Sequence, residues 1–230
     1  GVVYYYSTDK IALLIEINTE TDFVAKSDDF INYVNQTANI ISESIFTDYD
    51  QLVSSDDDAL KNNLEELRKN YVTKLGENIQ IRRYKLFDKK IHSVVGYTHN
   101  NKIGALVVLK NPDEQLSKDI CMQIVASNPL GLDKSSIDPI VLASEKEVYM
   151  AELEKINKKD DIKRNIMEGK IKKFISENTL LNQPFIKDSS LTLNKIIKDN
   201  EVIHYTRYEL GEGIDKKKED FAEEVYNQIK

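Results

Sequence analysis

Tryptophan is absent from the 230 residues and cysteine occurs once, at Cys121. A single thiol excludes an internal disulfide framework and suits a reducing compartment. Cys121 itself lies in a helical pattern in which Leu116, Ile120 and Ile124 share a face, so a buried structural thiol is favoured over a nucleophile. No apolar run reaches the roughly 18 residues that a membrane-spanning helix needs, and no membrane partner is expected. Gly1-Val2-Val3-Tyr4-Tyr5-Tyr6 has no Met and no charged leader. It reads as a strand already under way, and the chain is expected to begin inside a longer gene product.

An excess of basic residues is also missing. The 32 Lys and Arg against 39 Asp and Glu give a net charge of −7, which disfavours a duplex nucleic-acid binder that must neutralise phosphates. There is no G-x-x-x-x-G-K-[ST] phosphate loop, so Asn157-Lys158-Lys159-Asp160, a string shared with the guanine-reading segment of GTPases, stands without its necessary context. Gly211-Glu212-Gly213 lacks the third glycine and βαβ setting of a dinucleotide fingerprint. No Gly-x-Ser-x-Gly elbow appears, and His92, His99 and His204 have no second His at metal spacing. Asp56-Asp57-Asp58 lacks the glycine of a calcium loop and reads as the acidic start of a helix. No catalytic residue, metal or cofactor is expected, no nucleotide is expected to bind this chain itself, and a binding protein is the working class.

Hydrophobic residues at 40%, with 12 Tyr and 7 Phe, support a folded core, and 31% charged residues point to long solvated helix faces. Val2 to Tyr6 and Lys10 to Asn18 form a plausible β-hairpin around Ser7-Thr8-Asp9. An amphipathic helix follows from Phe30 to about Ser44, then a polar connection from Asp48 to Asp58, then a helix to Leu75 stopped by Gly76. Asn78 to Phe87, Ile91 to His99 and Ile103 to Lys110 read as an antiparallel meander. Pro112 and Asp113 open the helix that holds Cys121, and Asn128-Pro129 closes it. Ser144 to Lys159 and Asp161 to Asn178 are charged helices expected to pair as a projecting hairpin, with Tyr149, Leu153 and Ile156 on one face and Met167, Ile171 and Phe174 on the other. A break at Gln183-Pro184-Phe185-Ile186, a short helix from Leu193 to Asp199, a strand from Val202 to Leu210 and a last helix from Lys216 to Lys230 complete the pattern.

Lys10-Ile11-Ala12-Leu13-Leu14-Ile15 is echoed by Lys102-Ile103-Gly104-Ala105-Leu106-Val107. Each copy has a polar turn, a Lys-Ile-small tripeptide, an apolar strand and a following helix, and Ile11 and Ile103 stand at matching hairpin tips. The fold class is therefore α+β, with two related subdomains (1–77 and 78–230), each an antiparallel sheet packed with helices, and a helical hairpin inserted at about 144–180. Between Ile17 and Asp28, Phe23 sits in a polar connection after Thr21 and Asp22. It either folds back onto its own core or projects as a partner's anchor.

Thr21-Asp22-Phe23-Val24-Ala25 after Ile15-Glu16-Ile17-Asn18, Gly76-Glu77-Asn78-Ile79-x-Ile81-Arg82-Arg83, Lys102-Ile103-Gly104, Gln183-Pro184-Phe185 and Glu209-x-Gly211-Glu212-Gly213-Ile214 resemble, in order, translation elongation factor Ts. The resemblance implies a guanine-nucleotide exchange factor that binds elongation factor Tu and promotes GDP release. The alternative is a non-catalytic scaffold bound to the same GTPase. It further implies Thr21, Asp22, Phe23 and Val24 as one contact with the GTPase, Ile103 and Gly104 as a second, and Gln123 as a third. At Gln123 the family usually has the His of Met-His-Val-Ala-Ala, whereas this chain reads Met122-Gln123-Ile124-Val125-Ala126. The family's N-terminal helical module, with its Thr-Gly-Ala-Gly stretch, has no counterpart in these residues. The implied location is the bacterial cytoplasm, or the mitochondrial matrix or plastid stroma for an organellar protein.

Overall fold

Two apolar strands decide the architecture. β2 (Ile11–Thr19) and β5 (Ile103–Leu109) are buried over most of their length, and successive side chains of a strand face opposite sides. Leu13, Ile15 and Ile17 of β2 therefore pack on helices, while Ala12 and Leu14 point the other way. In β5, Ala105, Val107 and Leu109 meet a helix, while Leu106 and Val108 point back toward β2. A strand covered on both faces needs apolar residues at consecutive positions, which accounts for the unbroken runs in both.

The computed structural model describes residues 1–91 and 93–214. It is an α+β fold in four layers. β1 (Val2–Ser7), β2 and β3 (Ile79–Asp88) form an antiparallel sheet in the order β1-β2-β3. β4 (Ser93–His99), β5 and β8 (Val202–Glu209) form the second, in the order β4-β5-β8. The sheets pack face to face through Val3, Ala12, Leu14, Val94, Leu106 and Val108. Outside the first lie a short α1 (Asp22–Ala25), α2 (Asp28–Ser42), α3 (Tyr49–Ser54) and α4 (Asp58–Leu75). Outside the second lie α5 (Glu114–Ser127), the small β6–β7 hairpin (Pro184–Phe185 and Asp188–Thr192) and α8 (Leu193–Ile197). α6 (Pro139–Glu154) and α7 (Asp160–Asn178) pair with each other, and of their residues only Leu153 is buried. Lys170 bridges to Glu152 and lies 4.8 Å from the centre of the Tyr149 ring.

The meander expected over residues 78–110 is corrected. Only β4 and β5 pair as a hairpin, while β3 turns back onto β2 and β8 takes the other edge of β5. A short polar turn serves a hairpin or a crossing between sheets equally well, and strand alternation does not distinguish them. After β3 the chain crosses to the second sheet at residues 89–91. The connection from Asp48 to Asp58 contains α3, whose first turn is capped by the Asp48 carboxylate accepting from Gln51 N at 3.0 Å and whose Leu52 is buried. Six residues are too few for helical periodicity to register. α6 begins at Pro139 rather than Ser144, on an Asp138 cap with proline in its first turn. Pro184–Phe185 and Asp188–Thr192 form β6 and β7 where only a break was expected. The helix expected from Lys216 to Lys230, and His92, lie outside the described residues.

Ile11 and Ile103 each open the central strand of a sheet, as the repeat requires, but the two hairpin turns lie at opposite ends of the sandwich. Asn101 O accepts from Val3 N at 2.8 Å near the start of β1, whereas the β1–β2 turn receives Lys89 N on Lys10 O at 2.8 Å.

Candidate functional site

The site begins where β2 ends. Thr21 caps α1, its Oγ1 accepting from Val24 N at 3.3 Å. That capping hydroxyl is itself held, donating to Glu77 Oε1 at 2.5 Å, while Thr21 N and Thr19 Oγ1 donate to Glu77 Oε2 at 2.9 Å each. One carboxylate thus takes three donors from the turn, and those hydrogen bonds, led by the Thr21 hydroxyl, hold the Glu77 carboxyl below its ordinary value. Ser27 then caps α2 through Phe30 N at 3.3 Å, so the α1 turn is fixed at both ends.

On this mount Phe23 is 82% exposed. Val24, the next residue, is half-buried against the first core together with Ala25. The turn therefore roots itself through Val24 and Ala25 and leaves the larger aromatic in water, contrary to what burial of apolar surface alone favours. Asp22 is exposed and accepts from Lys26 Nζ at 2.9 Å; that hydrogen bond and its charge lower the Asp22 carboxyl, with a smaller contribution from Lys102. Lys102 belongs to the β4–β5 turn, so Asp22 and Ile103 lie at the same end of the molecule.

Ile103 is half-buried against the second core, and Gly104 is buried between the sheets. A Cβ at Gly104 would stand 2.8 Å from both Leu14 Cδ1 and Val3 Cγ1. Gly104 thus acts as a close-packing position, and Ile103 carries what exposed surface this pair has. Gln123 is buried on α5, with Nε2 3.4 Å from Gln183 Oε1 and from Pro184 O, and Oε1 accepting from Ile186 N at 3.4 Å. It ties α5 to β6 beside a cavity of about 300 Å³ that Ser127, Glu177 and Ile186 also line. Thr21, Asp22 and Phe23 lie at the same end of the molecule as the Lys102–Ile103 turn, and Gln123 lies within the outer layer of the second sheet.

A second cluster joins residues that sequence reasoning left apart. Glu16 is fully buried, with Oε1 2.8 Å from Arg82 Nη1 and Oε2 2.6 Å from Arg83 Nε, and Gly211 N donates to Oε1 at 2.9 Å. The β2–β3 register shifts between Glu16 and Ile17, so Arg83 pairs with Glu16, Ile81 pairs with Ile17, and Arg82 is the extra residue. Such a bulge turns neighbouring side chains to one side, which is how two successive arginines reach one carboxylate. Arg83 also meets Glu209 O at 3.1 Å and stacks 4.3 Å from the centre of the Tyr208 ring, and Arg82 meets Glu212 O. The Gly76–Arg83 and Glu209–Ile214 stretches are thereby joined through Glu16. The available signal was an acid in the middle of an apolar strand. Glu77 offered none, because its partners lie 56 and 58 residues away.

Cys121 is buried, which pushes its thiol pKa up. Among the described residues no group of three or more His, Cys, Asp or Glu is placed to hold a metal ion, and no helix is long and apolar enough to cross a membrane.

A family model for elongation factor TS matches residues 20–212. The chain is 38% identical over 222 residues to elongation factor Ts of Thioalkalivibrio sulfidiphilus, covering 95% of this chain and 75% of that protein. It is 37% identical over 223 residues to elongation factor Ts of Methylococcus capsulatus, covering 96% and 76%. With elongation factor Ts of Legionella pneumophila strain Lens the identity is 37% over 236 residues, covering 100% and 78%.

Proposed function

The chain belongs to the elongation factor Ts family of translation factors, and on that footing we propose that it is a guanine-nucleotide exchange factor for elongation factor Tu. The observation that carries the reading is Phe23, a large aromatic left 82% exposed on a turn that is capped at both ends and rooted through Val24 and Ala25. An exposed aromatic on a turn whose backbone is already ordered loses little backbone freedom on binding and is the kind of residue that dominates an interface.

Exchange of this kind needs differential binding and no bond chemistry. A GTPase holds GDP through Mg²⁺ and through phosphate-loop amides aimed at the β-phosphate. A partner that prefers the form in which these are displaced raises the nucleotide off-rate. By linkage, GDP weakens the complex by the same factor as the complex weakens GDP, so rebinding of GTP releases the exchange factor. In this scheme Phe23 inserts into the GTPase, Asp22 and the Lys102–Ile103 turn flank it, Thr21 and Val24 hold it, and Gly104 keeps the second hairpin at its distance. Gln123 orders the 183–186 segment as a third surface. No side chain has to ionise or attack.

The test is release of a fluorescent GDP analogue from elongation factor Tu. The chain should accelerate release, and Phe23→Ala should reduce the acceleration by about 2 kcal/mol of transition-state stabilisation. Binding without acceleration would favour a scaffold. Full activity in the Phe23→Ala variant would remove the anchor role and leave the family assignment intact.

A further inference from the structure

The two open sides of the sandwich differ. On one, β3 and β8 are laced together by Glu16, Arg82, Arg83 and the Glu209–Gly213 turn. On the other, β1 and β4 border a cleft of about 770 Å³. Four successive residues of β4, Ser93 to Gly96, line it. Because alternate residues of a strand face opposite sides, a run of four on one wall means that the strand meets the cleft with its edge. β4 pairs only with β5 in its sheet, and among the described residues no backbone hydrogen bond occupies its other edge. The Tyr5 ring packs on Gly96, where a Cβ would stand 2.4 Å from it, and Ile91, 72% exposed, adds an apolar rim.

Four lysines surround this edge. Lys89 donates to Thr8 O at 2.9 Å and to Ser7, and Lys110 pairs with Glu201 at 3.2 Å. Lys90 and Lys118 are exposed, and among the described residues neither has a carboxylate at ion-pair distance. Asp113 and Glu114 also border the cleft; Asp113 is engaged in capping α5 through Leu116 N at 2.9 Å. In a chain of net charge −7, this is a local reversal of sign. Like charges keep a second copy of the same edge away, and an unpaired edge offers main-chain groups that a compact anion cannot use.

We propose that the β1/β4 cleft binds an acidic peptide segment in extended form, which adds to β4 as a further strand and places carboxylates at Lys90 and Lys118. The peptide backbone pairs with Ser93–Gly96, and alternate side chains rest on Tyr5 and Ile91. The proposal is independent of exchange on elongation factor Tu.

The test is fluorescence anisotropy of a fluorescein-labelled peptide, Asp-Glu-Val-Thr-Val-Glu-Asp, titrated with the full chain at low and high salt. Saturable binding that weakens with salt is expected, together with at least a tenfold loss in the double variant Lys90→Glu/Lys118→Glu. The unfolding midpoint of that variant, measured alongside, should stay that of the parent. The same peptide N-methylated at alternate amides should not bind. Absence of saturable binding, an unaltered affinity in the double variant, or equal binding of the N-methylated peptide would each overturn the proposal, the last by showing that charge acts without strand addition.

Discussion

The two copies of the strand–helix module agree where they face each other and differ where they do not. Ala12 and Gly104 occupy equivalent positions between the sheets, as do Leu14 and Leu106. Two positions along, the first copy has Glu16 and the second Val108, both buried. The link from strand to helix differs as well. Residues 110–113 lead directly from β5 into α5, whereas residues 20–27 include the extra turn α1 with its exposed Phe23. The shared positions build the interface, and the features peculiar to one copy supply the ion cluster and the exposed Phe23.

The sharpest challenge to that comparison is Glu16→Ala, which leaves Arg82 and Arg83 without their buried carboxylate. It should lower the unfolding free energy by about 3–5 kcal/mol in denaturant titrations, as for a broken buried ion pair. Val108→Ala, at the equivalent position, should cost roughly 1–3 kcal/mol, since it removes only methyl groups from a packed interior. Equal losses would show that the ion cluster behaves as ordinary core.

Gly104→Ala tests the shared interface next. Its Cβ meets Leu14 and Val3 at 2.8 Å, and overpacking of this kind costs about 1–3 kcal/mol. A neutral result by thermal unfolding would mean that the sheets can move apart at that point. Thr21→Ala removes the α1 cap, for about 1 kcal/mol of local stability, read as faster hydrogen exchange at Val24 N. The Asp113 cap of α5 should be unaffected when Leu116 N is followed in the same experiment.

A smaller effect is tied to pH. The Asp48 carboxyl is held below its ordinary value, first by the Gln51 N–H and then by Lys85. A depressed native pKa means that the unfolded chain takes up the proton first as pH falls. The contribution is complete above the ordinary carboxylate range and is lost as pH drops through the depressed value. Asp48→Asn should flatten that acid limb of the stability profile. The smallest expected effect is that of Phe23→Ala on folding, within about 0.5 kcal/mol. A larger loss in calorimetry would return Phe23 to the core.

The longer strands, the long helices and the stops of α4 and α5 were legible because each follows from neighbours in sequence. Gly76 with φ +74° and Asn128 with φ +44° end α4 and α5 where the two helices were expected to stop. The pairing of β3 with β2 was not legible, because alternation records which faces are buried and not which strand lies alongside. At the site, Thr21, Asp22 and Phe23 were found as a motif, but spacing alone left Phe23 open between core and anchor. Gln123 reads in sequence as a polar residue on a helix and is buried in the structure, since its partners come from residues 183–186.

Sequence alone determined the longer strands and helices and the family, because these rest on local conformational preference and on residue order. Tertiary structure decided that Phe23 stands in water while Val24 beside it is half-buried, and that Glu77 and Glu16 hold the surrounding turns. It decided these because burial and hydrogen bonding are settled by groups distant in sequence that meet only once both sheets have packed.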